Sequence, residues 1–152
     1  MKFMTIRALA LSAGVIALTL SLSAGNDVAS ASSERKERLY VTKECSEYTG
    51  LAGQFCTVTS SNFAAIKVGS KIFYDLPAGT PAGLLDTDIV LDAGTGNRAV
   101  GHCTIDLATN LGLCTFSDGT GQFAGFQARV DVTHTGGANW RWDGTFSLDR
   151  IK

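Results

Sequence analysis

The chain has 152 residues, of which 18% are charged, and its formal net charge is −1. This length fits one domain, and the balanced charge argues against a nucleic-acid partner, which needs clustered Lys and Arg.

The first 31 residues have the features of a secretory signal peptide. Lys2 and Arg7 form a positive start, residues 8–22 carry no charge, and Ala29-Ser30-Ala31 has the small-x-small pattern of a cleavage site. The apolar run is too short for a comfortable membrane span. We therefore predict a secreted protein (extracellular or periplasmic) with no membrane association after cleavage; cleavage after Ala24 and an uncleaved anchor are the alternatives.

The mature chain predicts an all-β fold. The mixed-sign charges of residues 33–38 indicate a flexible N-terminus over residues 32–38, ahead of one β-barrel domain over residues 39–152. From there, short runs rich in Val, Ile, Thr and aromatics alternate with Gly, Asn and Asp. Because these runs are apolar on one face, we expect a single small antiparallel β-barrel of about eight strands rather than an open sheet. The predicted strands are 39–45, 53–60, 63–68, 71–76, 84–92, 99–107, 112–117, 123–132 and 140–148.

All four cysteines lie in the mature part, and an even count in an exported chain favours disulfides over metal binding. Four cysteines allow three connectivities. The favoured connectivity joins Cys45 to Cys56 and Cys103 to Cys114, because each pair flanks a turn-rich segment and residues 103–114 resemble a hairpin. A zinc site is the weaker alternative because no Cys-x-x-Cys spacing exists. No metal or cofactor is predicted.

The last hairpin supplies a test of register. A turn at residues 135–137 would place apolar residues opposite each other on the inner face and opposite charges together on the outer face. The predicted pairs are Val132 with Trp140, Val130 with Trp142, Asp131 with Arg141 and Arg129 with Asp143. These four charged residues then form a solvent-facing ladder rather than a catalytic cluster.

No residue set reaches the standard of an active site, so the catalytic residues are unknown. Asp86 and Asp88 share a strand face that suits Ca²⁺ or acid/base work, but a solvated face is the default interpretation. His102 lies on the outward parity of its strand. The candidate ligand-binding residues are the inward aromatics Tyr74, Phe126, Trp140 and Trp142, which either fill the barrel or line a cavity for one small ligand.

Two segments resemble the allene oxide cyclase and dirigent barrel group, especially its small secreted bacterial members of unknown role. They are VGHCTIDLATNLGLCTFSDGTGQFAGFQARVDV (residues 100–132), which contains the glycine turn GTGQFAGF, and the closing strand WRWDGTFSL (residues 140–148). The resemblance implies an eight-stranded, calycin-like antiparallel barrel, often a homo-oligomer, whose mouth opens on an apolar cavity. It also implies that any catalysis acts by confining the substrate.

Three functions follow as hypotheses. The first is a secreted barrel that binds a small apolar ligand in its interior. The second is a cofactor-independent cyclase or isomerase that works by confinement in the same cavity. The third is a non-catalytic surface or matrix protein with a filled core. An inward polar residue deep in the barrel would favour the second hypothesis, and a core without a cavity would favour the third.

Overall fold

Eight antiparallel strands form a closed barrel in the computed structural model, which describes residues 35–149. Each strand pairs with the next one in sequence, and the first pairs with the last to close the sheet. The strands are β1 (Glu37–Glu44), β2 (Phe55–Ser61), β3 (Lys71–Tyr74), β4 (Leu84–Asp92), β5 (Arg98–Asp106), β6 (Leu111–Thr120), β7 (Phe126–Gly136) and β8 (Asn139–Leu148). The predicted all-β antiparallel barrel is confirmed.

The alternation of side chains along the strands builds the core. In β4, which has its predicted bounds, every second side chain is buried, namely those of Leu85, Thr87, Ile89 and Leu91, and the side chains between them lie on the outer face. The bounds of the other strands differ from the predicted ones by up to four residues, and two of these differences have a clear meaning. β1 begins at Glu37, inside the segment expected to be flexible, and β7 begins only at Phe126 because Gly121–Phe123 forms a 3-10 turn.

Residues 63–68 do not form the predicted strand. The segment makes tight turns, in which the Ile66 amide donates to the Phe63 carbonyl at 3.0 Å, and it buries Ala65 and Ile66. The Phe63 ring packs on Phe126 and Phe146, with ring centroids 5.7 and 4.4 Å apart. An apolar run of this length does not distinguish a strand from a turn whose side chains enter the core. The segment packs against the core at one end of the barrel instead of adding to the wall.

The predicted register of the β7–β8 hairpin is wrong, although its faces are right. Val132 lies opposite Trp142 rather than Trp140, and a bulge between His134 and Gly136 moves the turn toward Gly137 and Ala138. A slip of two residues leaves every side chain on its own face, so the inner pattern could not exclude it. The charge ladder is lost: Asp131 faces Asp143, while Arg129 faces Thr145.

Both favoured disulfides form, Cys45 with Cys56 and Cys103 with Cys114. Such bonds are typical of an oxidising, extracellular-type environment. Within residues 35–149, no helix is long and apolar enough to cross a membrane. The predicted signal peptide, residues 1–31, lies outside the described residues.

Candidate functional site

The two ends of the barrel differ. Because successive hairpins reverse direction, the connections 45–54, 75–83, 107–110 and 137–138 lie at one end, which we call the cavity end. The connections 62–70, 93–97 and 121–125 lie at the other, which we call the plugged end. There, Phe63, Phe123, Phe126 and Phe146 pack ring against ring at centroid distances of 4.4 to 6.2 Å.

A cavity of about 310 Å³ lies at the cavity end. Its wall combines the Cys45–Cys56 disulfide with aromatic and aliphatic side chains, and with one lysine, Lys43. The other lining side chains of note are those of Tyr48, Tyr74, Leu85, Ile105, Leu107, His134 and Trp140. This volume is at the lower end of the range of about 300–1,000 Å³ that is usual for small-molecule sites.

Lys43 is the unusual residue of this cavity. It follows Leu39 and Val41 on the inner face of β1, and its side chain is 1% exposed. Its Nζ atom lies 2.6 Å from the hydroxyl oxygen of Tyr74 and 4.5 Å from the centre of the Trp142 ring. Among the described residues, the lining contains no Asp or Glu, so no carboxylate there compensates a charge on Lys43.

Burial lowers the pKa of Lys43 from 10.5 to about 7. The cause is desolvation, which penalises the ammonium form much more than the neutral amine. The faces of the Trp142 and Tyr74 rings favour the cation, but less strongly than water would. Near neutral pH the amine is therefore present in both its charged and its neutral form.

Tyr74 is the partner that orients Lys43. It comes from the end of β3, is 2% exposed, and stacks at a tilt on Tyr48 with ring centroids 4.7 Å apart. Desolvation raises its pKa well above the ordinary value, so the phenol stays neutral. Its oxygen also lies 3.5 Å from Sγ of Cys56, and because a disulfide sulfur has no proton, the phenol is the donor there.

The four candidate aromatics divide between two environments. Tyr74 and Trp140 line the cavity, and Trp140 also packs on His134 at 4.9 Å. Phe126 belongs to the plugged end, and Trp142 is fully buried between Phe116 and Lys43. Their role as ligand-binding residues stays a prediction. Lys43 was not predicted, although the alternation Leu39, Val41, Lys43, Cys45 already places it on the inner face.

Four exposed leucines lie at the cavity end. Leu51, Leu76 and Leu107 lie in three different connections at this end, and Leu111 begins β6 directly after the third; their exposures are 60, 50, 38 and 53%. Isolated surface leucines are ordinary, but several that converge on one end, one of them in the cavity wall, form an apolar rim.

His102 lies on the outer face, as expected, but it is not isolated. Nδ1 lies 2.8 Å from Asp88 and Nε2 lies 2.8 Å from Asp86, which also accepts a hydrogen bond from Thr104. These bonds, first that to Asp88 and then that to Asp86, raise the pKa of His102. The imidazole ring thus lies between the two carboxylates that the sequence made candidates for Ca²⁺. The exposed cluster lies outside the cavity.

Comparisons of the chain with protein-family models, with curated proteins and with solved structures found no match. The resemblance to the allene oxide cyclase and dirigent group therefore stays a prediction.

Proposed function

We propose that this protein is exported and binds a small apolar molecule that carries one polar head group in the cavity. The observation that carries the proposal is the buried Lys43 amine in a wall that is otherwise largely apolar. Such a site resembles ordinary small-molecule pockets, in which apolar walls supply affinity and a few polar groups fix orientation.

Two further features support a binding site at this end. At the plugged end, phenylalanine rings pack against one another. The leucine rim provides an apolar surface where a ligand would enter. Export is supported by the N-terminal sequence pattern and by the two disulfides.

A second candidate is a cofactor-independent isomerase or cyclase that confines its substrate in the same cavity. The Lys43–Tyr74 pair favours it, because an amine and a neutral phenol at 2.6 Å can exchange a proton with a bound molecule.

Tryptophan fluorescence tests binding directly, since Trp140 lines the cavity and Trp142 contacts Lys43. We expect octanal, 1-octanol, fatty acids and polycyclic compounds to change the emission of the oxidised mature protein. Micromolar affinity, about −8 kcal/mol, is the expected scale.

Matched variants locate the response. Leu107→Gln, at the cavity wall, is expected to weaken binding roughly tenfold by the loss of apolar contact. Val100→Gln, on the outer face of the same strand region and similarly exposed, is expected to leave it unchanged. If no compound in the panel alters the emission, or if both variants behave alike, the cavity is not the binding site.

A further inference from the structure

We propose that Lys43 captures apolar aldehydes or ketones as imines through its side-chain amine. This inference rests on the proposed function, because the carbonyl compound has to enter the same cavity. It names the head group that the cavity selects: a carbonyl carbon that the amine attacks.

The position of the amine favours covalent capture over an ion pair. Lys43 is one of the lining residues, its Nζ lies beside the Tyr74 hydroxyl and an indole face, and among the described lining residues there is no carboxylate to hold the amine as a cation. A buried ammonium without a counter-ion is costly, whereas the neutral amine and a neutral imine are compatible with apolar walls. Desolvated lysines are activated nucleophiles toward carbonyl groups for this reason.

The reaction balances within the cavity. The lone pair of the neutral amine forms a bond to the carbonyl carbon, and the carbonyl π electrons move to oxygen. A proton moves from nitrogen to that oxygen, which gives a carbinolamine. The hydroxyl group then takes up a second proton and leaves as water while nitrogen forms the C=N bond and loses its remaining proton. Amine and carbonyl compound thus yield imine and one water, without an oxidant or a reductant.

Tyr74 is the group that relays these protons. Its hydroxyl lies 2.6 Å from Nζ, and because the phenol stays neutral it donates one proton while it accepts another. The phenolic proton, which otherwise points to the disulfide sulfur of Cys56 at 3.5 Å, turns to the reacting oxygen for this transfer. Tyr74→Phe is therefore expected to slow imine formation roughly tenfold or more without preventing it.

The test traps the imine in the oxidised mature protein. Octanal is added near neutral pH with cyanoborohydride, which reduces an imine to a stable secondary amine, and peptides are mapped by mass spectrometry. At a pKa of about 7, half of Lys43 is free amine at pH 7, on the order of 10³-fold more than for a lysine at 10.5. We expect the Lys43 peptide to carry at least tenfold more adduct than that of the exposed Lys67, and excess 1-octanol to suppress it.

Variants and head groups separate the outcomes. Lys43→Met, which keeps an apolar side chain of similar length, should lose the adduct, and Lys67→Arg should not. Equal labelling of Lys43 and Lys67 would overturn the imine. The imine would also be overturned if fluorescence showed that octanal and 1-octanol bind but no adduct were trapped at Lys43. That result leaves the proposed function intact. Octanoate that binds while octanal forms no adduct indicates an ion pair instead. If none of the three ligands binds, the proposed function itself fails.

Discussion

The Nζ atom of Lys43 and the hydroxyl oxygen of Tyr74 lie 2.6 Å apart, and both side chains are almost fully buried, with exposures of 1 and 2%. A hydrogen bond of this kind satisfies both groups, but it does not restore the hydration that an ammonium loses on burial. Two apolar side chains would fill the same space at less cost. Core packing alone therefore does not explain why a lysine and a tyrosine are buried together at this end of the barrel.

The first prediction is that stability rises with pH because of Lys43. In the unfolded chain its pKa is 10.5, and in the barrel it is about 7. Between these values the unfolded state binds more protons, so the free energy of unfolding increases with pH and is lowest below about 7. The full difference is on the order of 5 kcal/mol, of which roughly 2 kcal/mol falls between pH 7 and 9.

Urea denaturation of the oxidised protein at pH 7 and 9 measures this change. Lys43→Met should abolish the rise and should be the more stable protein at pH 7. Lys67→Arg, at an exposed position, serves as the matched control and should keep the wild-type pH dependence. A wild type that is equally stable at both pH values would mean that Lys43 is solvated.

The second prediction concerns the outer face of the last hairpin, where Asp131 lies directly opposite Asp143. Asp143 already pairs with Arg38 at 2.7 Å, whereas like charges across a strand pair repel. Asp131→Lys should therefore raise the free energy of unfolding by about 0.2–1 kcal/mol, and Asp131→Asn by less. Thermal denaturation in low salt measures both. Had Asp131 faced Arg141, as the sequence pattern predicted, the lysine variant would be destabilised.

The β7–β8 hairpin shows which features of the fold could be predicted from the sequence and which could not. Side-chain alternation predicted the faces of the strands and the closed barrel, because period-two patterns report which side of a sheet is buried. The turn-rich segment within each cysteine pair predicted both disulfides. The alternation could not fix the register, since a shift of two residues preserves every face and only the turn decides between the options. Thr135, which the predicted turn included, lies instead in the bulge between His134 and Gly136.

The cavity was harder to predict than the wall. Nothing in the apolar run at residues 63–68 distinguishes a strand from a segment that packs its side chains into one end. Aromatic parity selected four residues that share an inner face, but it gave no information on their depth along the barrel. Lys43, by contrast, could have been found from the sequence, because a single charged residue on the buried face of a predicted strand is unusual.

The third prediction is a titration of His102. Its pKa is raised by the bonds to Asp88 and Asp86, so the stability that these bonds contribute is fully present below the ordinary value of 6.5 and is lost as pH rises through the folded-state pKa. This dependence is opposite in sign to that of Lys43. Imidazole NMR should show the pKa of His102 falling toward 6.5 in Asp88→Asn. An unchanged titration would rule out the bridging geometry.

The fourth prediction separates the two disulfides, which close loops of equal separation, 11 residues. Loop-closure entropy gives each about 3 kcal/mol, so replacing either pair by alanines should cost roughly 2–4 kcal/mol. Cys45 and Cys56 line the cavity, and Cys56 contacts Tyr74, whereas Cys103 and Cys114 do not line it. Only the Cys45→Ala/Cys56→Ala protein should therefore also lose ligand binding. Equal effects on binding would place the ligand elsewhere.

Because phenylalanine rings pack together at the plugged end, we expect a ligand to enter the cavity from the cavity end. Each methylene added to a homologous series of ligands gains about 0.8 kcal/mol while it still finds cavity wall. Once the roughly 310 Å³ is occupied, further methylenes have only the leucine rim to cover them. We therefore expect the affinity to stop increasing at a chain length that is set by the depth of the cavity. The barrel would then select ligands by their length.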